Sequence, residues 1–260
     1  MHSTKYIYGF VLAMTTGVAL LLTGLYMGWK DQSKLNESIF NKRAILKSIN
    51  DYLGDGKDAD DIADAEVLSI FDGRVEQIAL DMTGRELESA DIVKAGYKGG
   101  KPEDIDLAKE KKKDKDARIF PLYIYKDAGK TFYITSIRGS GLWDDIWGNI
   151  ALKSDISTIA GASFDHKGET PGLGAEIKDN PVFARQFKGK KIYTEEGEYI
   201  SVKVMKGTAP KGDAHAVDGI SGATVTANGV SVMLLDGIKY YEPYFDKIKA
   251  KKTGKEMGMK

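Results

Sequence analysis

The chain contains no cysteine, which excludes disulfides, iron–sulfur clusters, thiolate zinc sites and cysteine nucleophiles together. Redox chemistry in this protein therefore has to come from an organic cofactor. Histidine is nearly as scarce. Of the three present, His2 lies at the terminus, so no Ser-His-Asp set can be assembled and no H-E-x-x-H metal motif occurs. Neither sign of charge is in surplus: 38 Lys and Arg balance 38 Asp and Glu, which gives no global attraction to nucleic acid or anionic lipid. Charge is missing altogether from Tyr6 to Trp29, a run of 24 residues. As a helix that run would reach about 36 Å, against a hydrocarbon core of ~30 Å.

Aromatic residues stand at both ends of the run (Tyr6, Tyr8 and Phe10, then Tyr26 and Trp29), where rings prefer the headgroup level. The stretch Leu25 to Trp29 offers no A-x-A cleavage site, so an uncleaved anchor is expected rather than a signal peptide. Lys5 precedes the span, and Lys30, Lys34, Lys42, Arg43 and Lys47 follow it. That count alone would put the C-terminal side in the cytoplasm, but large domains translocate largely regardless of charge. With no ionisable group between its ends, a single span offers no ion route across the membrane.

The remainder has the balance of a folded protein, the whole chain being 42% hydrophobic and 29% charged. Leu35, Ile39, Leu46, Ile49 and Leu53 mark one face of a helix that stops near Gly54. The chain thus divides into an anchor over 1–30, a stalk helix over 31–54, a charged insertion with some regular structure over 55–118, a site-bearing domain over 119–248 and a basic tail over 249–260. The acidic run Asp55, Asp58, Asp60, Asp61, Asp64 and Glu66 lacks the register of a calcium loop and reads as a solvated surface insertion. Ile119 to Tyr125 and Thr131 to Ile137 flank a turn and predict a β-hairpin. Further strands are expected at 156–164 and 198–205, with a short helix from Pro181 to Phe187. A final helix is expected over Val225 to Tyr240, striped by Val230, Met233, Leu234 and Ile238. Strands and helices do not alternate as in βαβ units, so the fold class is α+β with a largely antiparallel sheet and flanking helices. No internal repeat is present.

The run Asp218-Gly219-Ile220-Ser221-Gly222-Ala223-Thr224-Val225-Thr226 stands directly before that last helix. Small residues allow close approach to the backbone, and the free N–H groups and dipole of a helix N-terminus favour a phosphate. The same residues also suit an ordinary capped helix, with Ser221 or Thr224 as N-cap and Asp218 fixing the preceding turn. Pro171-Gly172 suits the two central positions of a type II turn. His166 and Glu169 are too few to hold a metal, leaving His166 a supporting or capping role. Gly139-x-Gly141 lacks the rest of a dinucleotide fingerprint. Asp144 and Asp145 read as surface acids, and His215 lies three residues before Asp218.

Asp218 to Thr224 resembles the flavinylation signature of the FMN-binding domains in which a flavin transferase esterifies a threonine with FMN. Gly139-Ser140-Gly141-Leu142-Trp143-Asp144 and His166-Lys167-Gly168-Glu169-Thr170-Pro171-Gly172-Leu173-Gly174-Ala175-Glu176-Ile177 resemble further blocks of that family, in the same order. With the single anchor, the architecture is similar to the C subunits of sodium-translocating NADH:quinone oxidoreductases, weakest over 55–118.

The resemblance implies a covalent FMN joined by a phosphoester to Thr224, with Thr226 as competitor. Asp218, Gly219, Ser221, Gly222 and Ala223 would form the loop around the phosphate. Glu169, Thr170, Leu173 and Gly174 would line the flavin, polar groups at the ring edge and Leu173 on its face. Leu142 and Trp143 would complete the site, Trp143 either stacking near the ring or filling core. The same resemblance implies a single-pass protein of the inner membrane, its FMN-binding domain (119–248) periplasmic. It would relay electrons among the other subunits of a complex that oxidises NADH, reduces quinone and exports sodium. No complete active site is expected in this chain, and NADH would bind elsewhere. Two alternatives remain: the G subunit of Rnf-type ferredoxin:NAD oxidoreductases, and a membrane-tethered module that binds a phosphorylated ligand noncovalently.

Overall fold

The computed structural model describes residues 3–54 and 58–257. Asp55 of the acidic run, the Gly56 beside it and the last residues of the basic tail lie outside them. The chain divides into two units, one ending at Lys42 and the other starting at Arg43. The first unit is made by helix α1 (Thr4–Lys47), which runs on into the second. This helix is long and apolar enough to cross a membrane, with a mean hydropathy of 1.9 over its best window. Its side chains there are exposed, as a lipid-facing surface requires.

The α-helix stops at Lys47, before Gly54. The N–H groups of Ser48 and Ile49 turn to the carbonyls of Ile45 and Leu46, and the Ser48 hydroxyl also bonds Ile45 O at 2.6 Å. The last turn thereby tightens into a 3₁₀ segment at Asn50–Tyr52.

The second unit is built on a six-stranded sheet in the order β2-β1-β3-β4-β5-β6, every pair antiparallel. Helix α2 (Asp64–Arg74) leads into β1 (Val75–Asp81), β2 (Glu86–Leu87), and helices α3 (Ser89–Lys94) and α4 (Leu107–Glu110). Strands β3 (Ile119–Asp127) and β4 (Lys130–Ser140) form the expected hairpin, followed by β5 (Asp145–Leu152) and β6 (Ile159–His166). Short helices α5 (Glu176–Asp179) and α6 (Pro181–Arg185) precede a parallel pair, β7 (Lys203–Val204) and β8 (Ala216–Val217). Helices α7 (Thr224–Lys239) and α8 (Glu242–Met257) close the chain.

Three sequence expectations need correction. The region expected as a charged insertion with some regular structure holds part of the sheet itself, because β1 is an inner strand, hydrogen-bonded to β3 along its full length. Its Glu76 and Gln77 break the apolar alternation that would have announced it. The described acids of the acidic run are exposed, as expected, but the segment is tied down: the Arg43 guanidinium gathers the carbonyls of Ala59 and Ile62 and the carboxylate of Asp64, and Ala59 and Ile62 are buried. The strand expected at 198–205 shrinks to Lys203–Val204, since Ser201 takes a positive φ of 62°. Finally β5 was not foreseen, its alternation interrupted by Gly148 and Asn149.

One face of the sheet presents Phe120, Leu122, Ile124, Ile137, Ile146 and Ile150 to the main core, shared with Val230, Met233, Leu234 and Ile238 of α7. Helix α7 lies directly on β4. A Cβ at Gly229 would sit 2.2 Å from Ser140 O, and one at Gly237 would sit 2.7 Å from Ile137 Cβ. Only glycine lets the helix approach so closely, and the approach sets the helix N-terminus beside the end of β4. Tyr241 then repairs a gap in the sheet. Pro121, lacking an N–H, has none to give Ser136 where β3 and β4 part. The buried Tyr241 hydroxyl stands 2.9 Å from Pro121 O and 2.8 Å from Ser136 O. Tyr241→Phe should remove the single O–H donor these two carbonyls share and lower the unfolding free energy by about 1–3 kcal/mol, measured by urea denaturation.

Candidate functional site

Three segments meet where β4 ends and β5 begins: the turn 140–145, the segment 166–175 and the loop 218–226. The first turn closes through Gly141 N–H to Asp144 O at 2.8 Å. Its flanks are held by ion pairs of Asp145 with Arg138 (2.9 Å) and Lys111 (3.2 Å), and of Asp144 with Lys167 (2.9 Å). Asp144 and Asp145 are thus structural fasteners.

The second segment turns at Pro171-Gly172, with Gly172 at φ 73° and Leu173 N–H bonded to Thr170 O at 3.1 Å. This is the arrangement of a type II turn. His166 Nδ1 accepts the N–H of Glu169 at 3.1 Å, which fixes the imidazole in the tautomer protonated at Nε2 and gives His166 a supporting role.

The third segment is pinned from behind. Asp218 N–H donates to Gln186 Oε1 (2.8 Å), its carboxylate accepts Ala209 N–H (2.7 Å), and Gly219 N–H donates to Gly207 O (2.7 Å). Asp218 and Gly219, both half-buried, therefore fasten the loop. Nothing in the sequence pointed to Gln186. His215 bonds Lys191 O at 2.7 Å and takes no part in the loop 218–226.

Past the loop, Ala223 occupies the N-cap of α7, and neither Ser221 nor Thr224 supplies a side-chain cap. That corrects the expectation of an ordinary capped helix. Ala223 N–H turns back to Ile220 O and the first bond into the helix comes from Ala227 N–H to Ala223 O, so the N–H groups of Thr224, Val225 and Thr226 stay open to an anion. Thr224 and Ser221 are exposed, while Gly222 takes φ 74° with Leu173 packed against it. The two threonines are sharply distinguished. Thr226 is buried and donates its hydroxyl to Glu169 Oε2 at 2.6 Å, whereas Thr224 stands at the surface.

Glu169 joins all three segments. Its Oε1 accepts Trp143 N–H at 2.9 Å, and its Oε2 accepts the Thr226 hydroxyl. A Cβ at Gly141 would lie 2.4 Å from Oε1, and one at Gly174 would lie 2.2 Å from Oε2. The carboxylate is thus enclosed between two glycines, which explains Gly174 and gives a role to Gly141, which the sequence offered only as part of a block. Burial opposes ionisation of Glu169. Hydrogen bonds from Thr226 and from the Trp143 and Asp144 N–H groups outweigh it and hold the carboxyl below the usual range.

In front of this buried hub stand large apolar side chains exposed to solvent: Leu142 at 52%, Trp143 at 69%, Leu173 at 41% and Val225 at 54%. The Trp143 indole N–H bonds Thr170 Oγ1 at 3.1 Å, fixing the ring's direction. An apolar rim beside an open helix N-terminus and a free hydroxyl fits a ligand with a flat ring system at one end and a phosphate at the other. Glu169 and Gly174 lie within its wall instead of lining the opening, and Ala223 is buried beneath Thr224. Among the described residues no cluster of metal-ligating side chains occurs.

Residues 141–239 match a family model described as the FMN-binding domain. The C subunit of the Na(+)-translocating NADH-quinone reductase of Vibrio campbellii is 31% identical over 240 residues, 88% of this chain and 88% of that one. Its counterpart from Pseudomonas aeruginosa is 34% identical over 183 residues, 65% of this chain and 68% of that one. The crystal structure of the Parabacteroides distasonis counterpart superposes with a TM-score of 0.68 at 34% identity, covering 83% of this chain and 96% of that chain. That of Shewanella oneidensis NqrC gives 0.65 at 27% identity, covering 84% and 99%.

The Glu169 hub makes two predictions. Gly174→Ala should cost about 1–3 kcal/mol of stability by forcing the carboxylate aside. Since Glu169 titrates lower in the native state than its unfolded value of about 4.3, it stabilises the fold fully above that value and loses the contribution as pH falls through its native one. Glu169→Gln should therefore weaken the protein at neutral pH and flatten its loss of stability on acidification, as followed by urea denaturation at a series of pH values.

Proposed function

The chain belongs to the family of Na(+)-translocating NADH-quinone reductase C subunits, which carry an FMN-binding domain, and on that premise we propose that it holds FMN covalently through a phosphoester on the Thr224 hydroxyl. The observation that carries this is the contrast between two neighbouring hydroxyls. Thr224 is exposed at an uncapped helix N-terminus, while Thr226 is buried and committed to Glu169. A flavin transferase can reach one and not the other.

The residues of the site divide the work. Thr224 anchors the group, and the open N–H groups at the start of α7 receive its phosphate, the helix dipole favouring the negative charge. Leu142, Trp143, Leu173 and Val225 exclude water from the ring, and the bond from Trp143 to Thr170 fixes the indole that borders it. FMN, when bound, supplies reversible storage of electrons. The protein's part is to keep the group from diffusing away and to present it at the surface.

The subunit accordingly relays electrons, one at a time, between neighbouring redox subunits of a membrane complex that oxidises NADH, reduces quinone and exports sodium ions. Helix α1 anchors it as a single-pass protein with the flavin domain on the periplasmic side. Its span has no ionisable residue, so the ion path belongs to the other subunits.

The test is coexpression of the full chain with a flavin transferase, acid precipitation, and mass measurement of the tryptic peptide that spans Thr224. An FMN adduct on Thr224 is expected, reduced to background in Thr224→Ala and retained in Thr226→Ala. A colourless pellet with the flavin in the supernatant would instead identify a noncovalent binding module, and an adduct surviving Thr224→Ala would move the attachment to Thr226.

A further inference from the structure

The buried carboxylates of the second unit are Glu110, Asp165 and Glu169. Two of them are neutralised by a cation: Glu110 pairs with Lys113 at 2.7 Å and Asp165 with Lys178 at 2.8 Å. Glu169 is different. Among the described residues no lysine or arginine pairs with it, and it is held by the Thr226 hydroxyl and backbone N–H groups. Donors of that kind stabilise a negative charge without cancelling it. The charge, moreover, sits in the wall of the opening: Glu169 precedes Thr170 in the chain, grips the backbone of Trp143, and bonds the residue two beyond Thr224.

We propose that Glu169 is a positioning residue that keeps a fixed, cation-free negative charge in the wall of the Thr224 site, and that its field lowers the reduction potential of the flavin held there. The inference rests on the function proposed above. Reduction transfers an electron from a donor to the bound group, and a fixed anion behind a low-dielectric wall raises the energy of the electron-richer state. The three-segment clamp, with glycine at 141 and 174, has no need of a charge to be a clamp. A neutral amide fits the same space. Gln at this position can accept Trp143 N–H with its oxygen and donate its NH₂ to the Thr226 oxygen, since a hydroxyl serves either way. Glu169→Gln thus removes the charge and preserves both contacts.

The experiment uses the full-length chain, coexpressed with a flavin transferase and purified in detergent, titrated with dithionite against a reference dye. In Glu169→Gln the midpoint potential should rise by about a tenfold change in the one-electron equilibrium, roughly 59 mV, with the mass of the Thr224 peptide unchanged. A loaded, folded variant whose potential is unmoved or lower overturns the proposal. Thr226→Val is the second variant, decisive where Glu169→Gln yields no folded protein. It keeps the carboxylate and removes a dipole that offsets it, so its potential should fall, and no change or a rise overturns the proposal. Should the wild-type Thr224 peptide carry no flavin, it is the function proposed above that fails. With wild type loaded, the potentials judge Glu169 alone.

Discussion

A single buried carboxylate organises the site. Glu169 is one residue, yet its two oxygens bind the backbone of a β-turn on one side and the first turn of a helix on the other. Its bulk is accommodated only because Gly141 and Gly174 have no side chains. Removing such a group from water is costly unless its lone pairs are satisfied, so the segments that satisfy them are obliged to come together. The exposed Trp143, Thr170, Leu173 and Thr224 are neighbours because the residues behind them converge on Glu169. Surface chemistry here is dictated from beneath.

That arrangement needs a rigid support, and the sheet supplies it. Helix α7 approaches β4 so closely that glycines at 229 and 237 replace any side chain, which fixes where the helix begins to within the length of a bond. The Tyr241 hydroxyl fills the missing donor beside Pro121 and keeps β3 and β4 from separating further where the helix crosses them. An open helix N-terminus is useful for holding phosphate only if it stays in place. The glycines and the tyrosine are therefore as much a part of the site as the exposed residues, though they lie along the helix behind it.

The sequence revealed these two layers unequally. The long apolar helix α1, the β3–β4 hairpin, helix α7 and the Pro171-Gly172 turn are written in local pattern and were legible. Strand β1 was hidden because Glu76 and Gln77 interrupt its apolar face, and its place in the sheet is fixed by pairing with β3 across some forty intervening residues. Asp218 and Glu169 carry the plainest lesson. A carboxylate in a functional motif invites the reading that it touches the ligand, yet each satisfies a backbone N–H group of another segment, and Glu169 is buried in doing so. No sequence pattern shows which way a side chain points. The one indication was the glycine placed near it in another segment, and Gly141 can be read that way only after the fold has brought it beside Glu169.

Two tethers of different kinds follow from the same requirement. Under the proposed function, a helix with no charge between Tyr6 and Trp29 confines the domain to a membrane surface, and an ester to Thr224 confines the flavin to the domain. Each replaces a dissociation equilibrium with permanent attachment, so neither needs a deep pocket. This explains how a redox site can be as open as this one, with Trp143 more than two-thirds exposed. A noncovalent site would have to enclose its ligand to retain it, and enclosure would keep electron-transfer partners at a distance. Once retention is assigned to a covalent bond, the walls are free to hold the ring at the surface and to set the field around it. A buried carboxylate without a cation is suited to that second task.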